Sequence, residues 1–161
     1  MSEHRTGKIL VLGLGNTILK DDGVGIYIVR GLQKRLSSPE IDFVEASLAG
    51  FNLLDILYGY DKAVIIDAVD LGKEHAGKLM KFGVEDFTPT SRLGVLHEIN
   101  LPIAITFGKR LGLPIPQEVI IYGIGVSDCY TFEEQCSPIV AERIPEIVDE
   151  IYNEICAIIK V

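Results

Sequence analysis

The chain has 161 residues, 48% hydrophobic and 24% charged, with a formal net charge of −8 and three cysteines. That is enough sequence to bury the core of one domain, expected over 1–161, without a disulfide framework. The acidic balance, with no basic cluster to offset it, argues against nucleic acid as a partner. No apolar run reaches the roughly 18 residues of a membrane span, so no membrane role is expected.

The charged start at 1–7 runs directly into an apolar strand pattern with no signal-peptide core, so a cytoplasmic location is expected. Residues 8–12 are apolar after Lys8, the pattern of a central parallel strand covered on both faces. A polar loop follows, holding Asp21 and Asp22. Val24, Ile28, Leu32 and Leu36 then recur at helical spacing until Ser37, Ser38 and Pro39 stop the run.

Residues 41–46 predict a second strand, and a short helix containing Leu53, Leu54 and Leu57 is expected to close at Gly59. Residues 63–66 form another wholly apolar strand, expected to end abruptly at Asp67. Residues 77–82 read as a strand near an edge, because Lys78 and Lys81 need water. After an irregular stretch, Asn100 is expected to cap a helix with Pro102 in its first turn and Gly112 beyond its end, which leaves His97 just outside the helix.

Residues 119–126 are the last strand, where Gly123 and Gly125 predict a close approach. Ser137 and Pro138 open a final helix with one stripe of Val140, Ile144, Ile147, Val148, Ile151 and Ile155. The alternation predicts an α/β three-layer sandwich, a mostly parallel five-stranded sheet with helices on both faces.

In such sheets the ligand crevice lies beyond the carboxyl ends of the strands. Asp22 follows the first strand, Asp67 ends the third and His97 precedes a helix, so topology can bring all three to one crevice. Two carboxylates and an imidazole suit a divalent metal such as zinc or nickel with open positions. Each also has a plainer reading: Asp21 or Asp22 as a helix cap, Asp67 as a turn residue, and His97 as a solvated loop side chain.

Gly13 and Gly15 follow a first strand, as in dinucleotide sites. The third glycine is missing, with Ile18 in its place, and Asp21 and Asp22 would repel a pyrophosphate. Cys129 and Cys136 read as two loop thiols and Cys156 as a core residue.

The run GLGNTILKDDGVG at 13–25 is similar to the opening motif of the hydrogenase maturation proteases, which trim the C-terminal extension of the nickel-iron hydrogenase large subunit. Ile65, Ile66, Asp67 and Ala68 carry a second match and His97 a third, and the likeness extends to the late strand and to Ser137 and Pro138. It implies a metal site of Asp22, Asp67 and His97 that engages nickel already inserted in the substrate, other divalent metals being able to stand in. Cleavage would then follow metal loading, in an aspartic-type reaction with Asp22 or Asp67 as the base.

The implied partner is the large-subunit precursor, and a monomer is expected. Departures from relatives occur at 47–50 and around His97, and the 129–136 segment is most like relatives that serve coenzyme F420-reducing or other archaeal hydrogenases. A non-enzymatic nickel-checking or delivery module using the same three residues is the alternative.

Overall fold

The two wholly apolar stretches lie side by side in the middle of one sheet. In the computed structural model, which describes residues 7–47, 52–86 and 101–159, the elements are β1 (Ile9–Leu14), α1 (Val24–Arg35), β2 (Ile41–Ala46), α2 (Asn52–Leu57), β3 (Lys62–Val69), β4 (Leu79–Gly83), α3 (Leu101–Arg110), β5 (Glu118–Gly125), α4 (Pro138–Ala141) and α5 (Ile144–Ile159). The strand order is β2-β1-β3-β5-β4. The first four strands are parallel, with Ile9 beside Ile41 and Lys62, and Lys62 beside Glu118. β4 runs antiparallel along the outer edge of β5, with Leu79 opposite Ile124.

Every side chain of β1 is buried, because successive residues feed opposite layers. Leu10, Leu12, Ala63 and Ile65 pack with Leu53, Leu57, Leu101 and Ile105 of α2 and α3. Val11, Val64, Ile66 and Ala68 pack with Ile28, Leu32, Val148 and Ile151 of α1 and α5. Each fully buried Leu or Ile contributes about 2 kcal/mol by leaving water, which is why both faces of the sheet acquire a helical layer.

Two boundaries differ from the sequence expectation. β3 does not end at Asp67 but runs to Val69, because β5 pairs with it along its whole length and sets Asp67 opposite Gly123 and Val69 opposite Gly125. The absence of a side chain at Gly125 is essential, since a Cβ there would lie 1.9 Å from the His75 carbonyl oxygen. The final helical stretch is broken into α4 and α5. Pro145 lacks an amide proton and its ring would clash with the Ala141 carbonyl, which disfavours one continuous helix even though the apolar stripe continues through the break.

Asn100 and His97 lie outside the described residues. α3 does carry Pro102 in its first turn, and Gly112 follows it at φ +69° with its amide on the Lys109 carbonyl. No helix of the described residues is long and apolar enough to cross a membrane.

Candidate active site

β1 has β2 on one side and β3 on the other, so the chain reverses its direction of winding between β1 and β3. A crevice opens beyond the carboxyl ends of strands at such a switch point. Asp22 is carried there by a 3₁₀ turn over Lys20–Gly23 that follows β1 and touches β3, and Asp67 sits two residues before Val69, the end of β3.

Backbone clearance brings the elements that carry them together. A Cβ on Gly25 would lie 2.4 Å from the Ile66 carbonyl oxygen and 2.7 Å from that of Leu14, so the first turn of α1 rests directly on the ends of β1 and β3. Gly15, at φ +140°, admits the Asp22 backbone to a distance that no other residue allows, since its Cβ would be 2.0 Å from the Asp22 carbonyl oxygen. The glycines of this run are therefore spent on protein backbone, not on a phosphate. Lys20 is the only non-glycine residue of the described chain with positive φ, at 43°, a conformation held by its amide on the Glu133 carbonyl at 2.9 Å.

The adjacent aspartates have different surroundings. Asp21 is fully buried and accepts hydrogen bonds from the amides of Ser127 (2.9 Å), Asp128 (3.0 Å) and Ser137 (2.6 Å) and from the Ser137 hydroxyl. It ties the loop after β1 to the loop after β5. Ser137 precedes α4 as expected, yet its hydroxyl is given to Asp21 and makes no helix cap.

Asp22, 5% exposed, accepts the Asn16 amide at 3.0 Å. Asp67, 2% exposed, accepts the Ala68 amide at 2.8 Å. Their common neighbour is Cys129, whose thiol is pushed up to about 12 by burial and then by the negative charges of Asp22, Asp21, Asp70 and Asp67. Burial and Asp21 likewise push Cys136 up to about 12, so neither cysteine offers a thiolate nucleophile at neutral pH.

Of the three residues singled out from sequence, Asp22 and Asp67 are both buried and both act on Cys129, while His97 falls outside the described residues. His75 lies in an exposed turn beside Glu74. Among the described residues no three His, Cys, Asp or Glu side chains gather as metal donors. What sequence reasoning missed is the clamp from Asp21 to the 127–137 loop. The available signal was the Ser-Pro pair, and its partner lies 116 positions away.

The sequence model of the hydrogenase maturation proteases matches residues 26–154, a span that includes Asp67 and His97 and begins after Asp22. The hydrogenase 2 maturation protease of Escherichia coli is 35% identical over 120 residues, covering 73% of this chain and 72% of that protein. The coenzyme F420 hydrogenase subunit delta of Methanothermobacter thermautotrophicus is 26% identical over 163 residues, covering 92% of this chain and 94% of its own. The structure of the hydrogenase maturating endopeptidase HybD from E. coli superposes with a TM-score of 0.72 over 89% of each chain at 23% identity, and so shares the α/β fold. With most of its length matched by the family model and a relative of this identity over two thirds of both chains, the protein belongs to the hydrogenase maturation proteases, a family of hydrolases.

Proposed function

We propose that the chain is an endopeptidase that removes the C-terminal extension of a nickel-iron hydrogenase large-subunit precursor once nickel has been inserted. The nickel is part of the substrate, and Asp22, Asp67 and His97 recognise it there. The observation that carries this reading is that Asp22 and Asp67, 45 positions apart in sequence, are both buried carboxylates whose charges act on the same Cys129. Carboxylate oxygens with one imidazole are a fitting donor set for a divalent first-row metal.

The chain's own chemistry is carboxylate-assisted hydrolysis. Asp22 or Asp67 takes a proton from water as its oxygen adds to the scissile carbonyl carbon. The carbon–nitrogen bond then breaks, and the proton passes to the departing amine. Metal bound in the precursor positions that carbonyl.

Mass spectrometry of the precursor, with and without nickel, before and after incubation with the protein, tests the reading. Shortening of the nickel-loaded form alone is expected. Cleavage that persists unchanged in the His97→Ala, Asp67→Asn double variant would sink it.

A further inference from the structure

Tyr130 and Phe132, at 77% and 81% exposed, are the two most exposed large hydrophobic side chains of the described residues, and Ile18 is 45% exposed. All three belong to segments joined to each other and to the crevice. The Asp128 carboxylate accepts the amides of Tyr130 (2.9 Å) and Thr131 (3.0 Å). Glu133 pairs with Leu19, giving its amide to the Ile18 carbonyl at 3.0 Å. The Asp22 amide in turn bonds the Leu19 carbonyl at 2.9 Å. The loops that carry the patch are thus hydrogen-bonded to the backbone of the turn that holds Asp22.

Its border is acidic. Residues 127–137 contain Asp128, Glu133 and Glu134 and no Lys or Arg. Lys20 faces Asp128 and Glu133 at 3.8 and 3.6 Å. Rigid aromatic side chains left in water beside a site are typical anchors for a partner, and an acidic border repels acidic partners. A second copy of this chain, at net −8, would bring the same acidic border against itself across a two-fold contact.

We propose that Ile18, Tyr130 and Phe132 form the docking surface for the segment of the large-subunit precursor that adjoins the scissile bond, an apolar stretch without acidic side chains. This rests on the function proposed above. A peptide held with its scissile bond at Asp22 and Asp67 lies beside the loops that carry these side chains, because hydrogen bonds tie those loops to the Asp22 turn. The surface reads polypeptide, whereas the crevice reads metal. It therefore contributes equally to association with nickel-loaded and nickel-free precursor.

The test is binding of both precursor forms to the wild-type protein and to the Tyr130→Ala, Phe132→Ala double variant, with cleavage kinetics on the loaded form. Both side chains are exposed, so an unchanged melting temperature is expected and confirms that the variant is folded. Association with both forms should weaken by about thirtyfold and by the same factor, and the loss of kcat/KM should appear in KM. A Phe132→Tyr variant should retain most of the affinity. Unaltered binding of both forms while the wild-type protein cleaves overturns the docking surface and leaves the endopeptidase standing. Failure of the wild-type protein to cleave a loaded precursor overturns the endopeptidase, and binding then decides the surface alone. A concentration-dependent dimer abolished by the double variant would reassign the patch to self-association.

Discussion

Carboxylates are buried or half-buried beside polar groups in two regions, and the two differ in what compensates them. Where β4 and β5 meet α5, Glu154 accepts hydrogen bonds from Lys81 at 2.8 Å and from the hydroxyl of Tyr122. Burial pushes the Glu154 carboxyl up, but those two bonds and the Lys81 charge outweigh it and hold it below its ordinary value. The Tyr122 hydroxyl is correspondingly raised, first by burial and then by its bond to Glu154. That cluster carries its own cation and joins α5 to the sheet.

In the crevice, Asp21 is held by neutral donors, and the four charges that act on Cys129 are all negative. A balanced pair is finished as a structural joint. A concentration of negative charge at a sheet's switch point is the arrangement that the proposed recognition of a metal in the precursor would use.

The largest effect expected from this difference is on processing. Asp67→Asn should slow shortening of a nickel-loaded precursor by at least about a hundredfold while removing a charge rather than bulk. Glu154→Gln should leave the initial rate within about twofold. Comparable slowing in both variants, read as initial rates by mass spectrometry, would erase the distinction between the regions.

Next comes the division of labour between neighbours. Asp21→Ala leaves three amides and a hydroxyl without their acceptor, and should cost about 3 kcal/mol or more in urea unfolding. Asp22→Asn should change stability far less than it changes cleavage. Equal destabilisation by the two substitutions would show that Asp22 is a joint like Asp21.

This contrast also marks what could be read from sequence. The strands, α1 and the positions of Asp22 and Asp67 by the carboxyl ends of β1 and β3 were legible, because apolar runs dictate the two strands and a parallel sheet sends both carboxyl ends to one side. The different surroundings of Asp21 and Asp22 were not, since both precede a helix and only the distant partners Ser127, Asp128 and Ser137 separate them. The end of β3 was misplaced because an aspartate looks like a strand terminator until β5 is seen pairing beyond it. The break at Pro145 was written in the chain, but the uninterrupted stripe from Val140 to Ile155 hid it.

A smaller effect is expected from the contact that aligns the crevice. Gly25→Ala would push a methyl group into the Ile66 and Leu14 carbonyls, which are backbone and cannot turn aside. Overpacking of this kind costs about 2 kcal/mol. Because Ile66 precedes Asp67 and Gly25 follows Asp22, cleavage should also slow. A Gly25→Ala variant with wild-type melting and rate would mean that the crevice does not depend on this approach.

The smallest effect should come from the balanced cluster. Glu154 is 42% exposed at its side chain, so solvent screens its pair with Lys81 and the Glu154→Gln variant should lose no more than about 1 kcal/mol at neutral pH. The sign with pH follows from the direction of its shift. A carboxyl held below its ordinary value stabilises the fold fully above that value, about 4.3 for Glu, and the contribution disappears as pH falls through the lowered one. Urea unfolding of wild type and variant at a series of pH values should therefore show a gap that is constant near neutrality and closes in acid. A gap that widens in acid would mean that burial, not Lys81 and Tyr122, governs Glu154, and the cluster would then resemble the crevice instead of contrasting with it.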